Sequence, residues 1–106
     1  MKEKNEEQIR RISRMEEILD KARDIYQKLD GALTEFEAIR ADVQELFDYY
    51  GSGVWQKDYE DDEAGRIPRD LKRGVLSQDA VYDLMSDHHE LKETMRRLSS
   101  EEEEDE

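Results

Sequence analysis

A heptad frame runs from Ile12 to Tyr50 without a phase slip, and no other feature restricts the fold of this chain as tightly. Its a and d positions are Ile12, Met15, Leu19, Ala22, Tyr26, Leu29, Leu33, Phe36, Arg40, Val43, Phe47 and Tyr50. Eleven of these twelve can pack, and only Arg40 is charged. Ile9, Ile18, Ile25, Ile39 and Leu46 widen the stripe into a broad face rather than a narrow coiled-coil seam. The opposite face carries Glu6–Arg10, Glu7–Arg11, Glu17–Lys21 and Asp24–Lys28. Each pair has the acid first at i,i+4 spacing and stabilises a helix by about 0.2–0.5 kcal/mol.

Asp30-Gly31 is the one ambiguous place in this stretch. Gly31 can serve as a helix C-terminal cap, and Thr34-x-x-Glu37 reads as a capping box for a new helix. A turn has no reason to preserve the apolar phase across Gly31, and a mid-helix Gly costs only about 1 kcal/mol. One long helix over residues 1–50 is the favoured reading. Residues 77–98 form a second helix. Ser77 is its N-cap, Asp79 favours its dipole, and Val81, Leu84, His88, Leu91, Met95 and Leu98 are its stripe. The tail, residues 101–106, is all acid and is expected to be disordered by self-repulsion. The predicted organisation is a single all-α domain over 1–100, with a connector at 51–76 and an antiparallel C-terminal helix.

Length links helix continuity to oligomeric state. A helix over 9–50 spans about 63 Å and one over 78–98 about 31 Å. The shorter cannot cover the longer, so Ile9, Ile12, Leu19, Ile25 and Leu29 would lie exposed, a larger patch than monomers tolerate. A second copy is the simplest cover, and a homodimer is expected. A break at Gly31 would instead give three similar helices and a closed monomeric bundle.

Composition excludes several classes of function. The 30 acids and 17 bases leave a net charge of -13, and without the tail the balance is still -7. No basic cluster exists, so neither nucleic acid nor an anionic membrane is an expected partner. No apolar run approaches the roughly 20 residues of a membrane span. The start, MKEKNEEQIRR, lacks the apolar region of a signal peptide. Cysteine is absent, which removes disulfides, thiol nucleophiles and thiolate metal sites. The cytoplasm is the expected location.

The connector holds four of the five Gly, the only Pro and the only Trp. Gly51 is expected to end the first helix with a positive φ. Ser52 can cap a short turn carrying Trp55 and Tyr59, and Pro68 with Gly74 suggests another. A connection of this length folds back on its helices. Trp55, Tyr49, Tyr59, Ile67, Leu71 and Val75 are the expected cluster, with Tyr82, Met85 and His89 placed to meet it.

This segment also carries a family resemblance. The residues are Tyr49-Tyr50-Gly51-Ser52, Trp55, Asp58-Tyr59-Glu60, Asp62-Glu63, Gly65 and Pro68, then Leu71 through Ser77 and Asp79 through Leu84. The pattern resembles the bacterial family catalogued as domain of unknown function 4298, over about residues 9–98. Gly31 and the acidic tail are not features of that resemblance. It implies a small, soluble, bacterial helical protein with no assigned activity, and it supplies no catalytic residue.

No reactive constellation emerges from the residues themselves. Asp58-Tyr59-Glu60-Asp61-Asp62-Glu63 offers clustered oxygens, yet its spacing fails the EF-hand in either register. A solvated acidic turn or a partner-facing patch is the better reading. His88 and His89 are adjacent, so they point to different sides of a helix and cannot share a metal. His88, on the apolar stripe, reads as a satisfied core histidine. Arg40 is the other polar stripe residue, and an acid or carbonyl between the two would satisfy both. Gly51-Ser52-Gly53 lacks the strand that a nucleophile elbow needs. No catalytic residue, cofactor or metal is expected. The function reading is a non-catalytic interaction or regulatory module whose binding surface is Trp55, Asp58, Tyr59, Glu60 and Asp62, facing a basic or mixed-charge protein. The simpler alternative is that Trp55 and Tyr59 only close the domain. A different class is an acidic mimic of nucleic acid that blocks a basic partner.

Overall fold

The structure is a computed structural model that describes residues 2–105, with side chains over residues 5–102. It contains three α-helices, α1 (Lys2–Tyr50), α2 (Gly53–Glu63) and α3 (Ala80–Asp105), and a 3-10 turn at Gly74–Leu76. No strand occurs among the described residues. The chain divides into two compact units, residues 1–41 and 42–106.

Among its described residues the first unit is helix alone. It crosses Gly31 without a break, because a mid-helix glycine forfeits less than the unbroken hydrogen-bond ladder gains. Thr34 does not cap a new helix. Its hydroxyl donates back to the Asp30 carbonyl at 3.0 Å, a mid-helix use of threonine. Of the charged pairs on the outer face, Asp24–Lys28 closes at 2.9 Å. The apolar stripe is not a buried face within this unit. Ala22 and Phe36 are half-buried, while Leu19 and Leu33 remain 41% exposed and Tyr26 71%. Ile9, Ile12, Ile25 and Leu29 are exposed as the length argument anticipates.

The second unit holds a small core. Trp55, Leu76 and Val81 are its buried apolar residues, from α2, the 3-10 turn and α3 respectively. The end of α1 and the body of α3 run antiparallel here. The Phe47 ring meets His88 edge-on at 5.6 Å, and Tyr50 donates to the Gln78 carbonyl at 3.3 Å. Along α3, Val81, His88 and Met95 are covered to some degree, while Leu84, Leu91 and Leu98 stay exposed. One row of the expected stripe therefore faces the unit and the other faces solvent.

Several boundaries differ from the sequence reading. α3 begins at Ala80 rather than directly after Ser77, and the Ser77 hydroxyl accepts from the Ala80 N–H at 3.2 Å across the turn that leads into it. The helix then runs past Leu98 to Asp105, carrying helix into the acidic tail. Arg97–Glu101, an i,i+4 pair at 3.3 Å, ties the first tail residue to the body of the helix. Glu106 lies outside the described residues. Gly51 has no positive φ, and its N–H still bonds the Phe47 carbonyl at 3.1 Å. The glycine that adopts positive φ is Gly65, at 74°.

Candidate functional site

The connector is built by three local devices. Ser52 joins α1 to α2: its hydroxyl donates to the Tyr49 carbonyl at 2.7 Å and accepts from the Trp55 N–H at 3.4 Å. The cap launches α2, which places Trp55 and Tyr59 one turn apart on the same side. Gly65 ends α2. Its N–H bonds the Asp62 carbonyl at 3.0 Å and the Arg66 N–H bonds the Asp61 carbonyl at 2.8 Å, the paired bonds of a Schellman cap. Pro68 opens a single turn closed by the Leu71 N–H on the Pro68 carbonyl at 3.2 Å.

Trp55 is the centre of this assembly. Its indole stacks on Tyr59 with ring centres 5.3 Å apart and meets Tyr50 edge-on at 5.0 Å. The indole N–H donates to the Val75 carbonyl at 2.9 Å, so the buried polar atom has its partner. The expected cluster is thus partly redrawn. Leu71 stays 56% exposed and Val75 37%, and Tyr50 and Leu76 take their places. Tyr82 and Met85 are exposed as well, and His89 with them. A 3-10 turn packs one of its residues inward, and Leu76 rather than Val75 occupies that position.

The acidic run is helical, not a loose turn. Asp58 accepts from the Tyr49 hydroxyl at 2.6 Å. Asp61 is held by Lys57 at 3.2 Å and Arg66 at 3.1 Å. The Lys57 ammonium and then the Arg66 guanidinium keep its carboxyl below the usual carboxylate range. Asp62 pairs with Arg73 at 2.7 Å, with both side chains at least two-thirds covered. Glu60 accepts from Gln56 at 3.3 Å. Burial, followed by the hydrogen bond to Asp58 and that carboxylate's charge, pushes the Tyr49 hydroxyl up to about 12.

A groove of about 590 Å³ opens between α2 and the approach to α3, lined by Tyr59, Asp62, Glu63, Arg73, Ser77 and Asp79 among others. The Tyr59 hydroxyl sits at its edge and accepts from the Gln78 amide at 3.0 Å. Of the five residues expected to bind a partner, Tyr59 and Asp62 line this groove. Trp55 lies in the core beneath, Asp58 bonds Tyr49, and Glu60 is exposed on α2. Glu63, Arg73 and Asp79 belong to the groove and escape sequence reasoning. Arg73 meets Asp62 from eleven positions further along the chain, past the end of α2, and no local periodicity announces such a pair.

Charge is divided unevenly between the units. Residues 1–41 hold 9 bases and 10 acids, a net of -1, whereas residues 42–106 hold 8 bases and 20 acids, a net of -12. Among the described residues no three His, Asp or Glu side chains are grouped to hold a metal ion. Nor is any described helix long and apolar enough to cross a membrane.

This is an all-helical protein with an aromatic-centred connector and an acidic groove. The family model for the domain of unknown function DUF4298 matches residues 12–98, and the chain belongs to that family. Neither the curated proteins nor the solved structures yield a match.

Proposed function

We propose that the protein is a non-catalytic interaction module, bacterial and cytoplasmic. In this reading the second unit docks a basic or mixed-charge protein, and two copies of the chain pair through the first. The observation that carries the reading is the separation of surfaces. The exposed apolar stripe lies in a unit of net charge -1, and the acidic groove lies in a unit of net charge -12. An apolar stripe of this size on one helix suits a protein partner. A strongly acidic face steers basic partners and repels nucleic acid and anionic lipid.

Trp55 and Asp58 serve the interior of the unit, so the docking surface is better drawn through Tyr59, Asp62, Glu63 and Asp79, with Glu60 at its margin.

Capture from the native cell extract tests this, with wild type compared against Glu60→Lys/Glu63→Lys/Asp79→Lys, all three exposed positions. The reading expects one or more basic proteins that are held at low salt, released at high salt and lost with the variant. Recovery of the same proteins by both would refute it. The concentration of charge in the second unit also favours the nucleic-acid-mimic alternative. That alternative adds one requirement: duplex DNA must displace the chain from its captured partner.

A further inference from the structure

We infer that the first unit pairs with a second copy of itself in an antiparallel arrangement, its exposed stripe from Ile9 to Ile39 laid against the same stripe of the other chain. The inference rests on the self-association proposed above and specifies its surface and direction.

The two flanks of the stripe decide the direction. From Glu16 to Ile39 one flanking row is apolar, Ile18, Ile25, Ala32 and Ile39, and the other is charged, Glu16, Arg23, Asp30 and Glu37; nearer the start each row has one exception, Arg11 in the first and Ile9 in the second. In a parallel helix pair each flanking row meets the opposite kind of row on the other chain, and these flanks set orientation. Parallel pairing would place Ile18 beside Arg23, Ile25 beside Asp30 and Ala32 beside Glu37, three charges laid over apolar side chains. Antiparallel pairing brings the apolar row against its own copy and the charged row against its own copy. The apolar row is then buried, and the charged row keeps its water.

Electrostatics permits the contact, because the first unit is nearly neutral at -1. A strip about 46 Å by about 10 Å gives about 1,000 Å² over both chains, the size at which a specific interface becomes tenable.

The absence of cysteine makes the test direct, since one introduced thiol carries one spin label. Arg10 and Asp24 lie on the outer face of the helix, away from the stripe. In the full chain, Arg10→Cys labels in an antiparallel pair are expected about 40 Å apart or more, and Asp24→Cys labels about 20 Å apart. Light scattering should report twice the 12.6 kDa chain mass. A doubled mass with short distances at both sites would overturn the antiparallel inference while leaving self-association standing. A single-chain mass with no inter-label coupling would overturn both. Leu19→Glu/Leu29→Glu is expected to return the chain to the single mass with its Trp55 fluorescence unchanged, because neither residue belongs to the second unit. A doubled mass in that variant would also overturn the inference.

Discussion

The indole N–H of Trp55 donates to the carbonyl of Val75 across 2.9 Å, joining two residues twenty positions apart. This bond orients the ring, Tyr59 stacks on one side of it, and Tyr50 closes an edge. With so few buried residues in the unit, the stability of the connector is concentrated on this one side chain. Trp55→Phe keeps an aromatic but removes the donor and leaves the Val75 carbonyl without its partner. A loss of about 1–3 kcal/mol is expected. Trp55→Ala should cost more, about 3–5 kcal/mol. Urea unfolding followed by circular dichroism measures both, and a Trp55→Phe change within about 0.5 kcal/mol, the range of ordinary surface substitutions, would contradict this role.

Gly31 lies inside α1 and Gly65 just past the end of α2, both with open space where a side chain would grow, yet their substitutions should have opposite signs. Gly31 has ordinary helical geometry in the middle of α1, so Gly31→Ala should add up to about 1 kcal/mol of helix stability and raise the ellipticity at 222 nm. Gly65 holds φ at 74° to complete the cap of α2, and Gly65→Ala should cost about 1–2 kcal/mol from the backbone alone. Loss of stability on Gly31→Ala would indicate that the helix needs a break there.

The Tyr49–Asp58 hydrogen bond predicts an alkaline limit to the fold. Tyr49 is raised in the folded state to about 12 from an ordinary value near 10. Its contribution to stability is therefore complete below about pH 10 and is lost as pH rises from there towards 12. Tyrosinate absorbance at 295 nm should show a late component in the wild type that Tyr49→Phe removes. In Asp58→Asn the late component should move down while staying raised, because burial is the larger cause. A Tyr49→Phe titration identical to wild type would contradict the assignment.

The sequence made the helical class and the caps legible because both depend on near neighbours. The apolar period marks α1, Ser52 and Ser77 announce the starts of α2 and α3, and the spacing of Trp55 and Tyr59 foretells their stack. Choices that depend on distant partners were not legible. Gly51 and Gly65 both follow helical stretches, and only the immediate launch of α2 from Ser52 makes Gly51 part of a tight junction while Gly65 takes the left-handed cap. The acid run reads as a turn because like charges repel, until Lys57, Arg66 and Arg73 supply the countercharges that let it be helix. Which residue of Val75 and Leu76 faces inward is a register question decided by the Trp55 ring. The groove is still less legible, since Arg73 and Asp79 reach it from irregular chain.

The account holds that the two units draw stability from different sources, the second from its own aromatic core and the first from contact with another copy. An isolated helix with its apolar face in water is marginal. Amide hydrogen exchange of the full chain at two widely separated protein concentrations tests this most directly. Protection over residues 9–39 should rise with concentration, while protection around Trp55 and Val81 stays the same. Protection over 9–39 that does not depend on concentration would contradict the account.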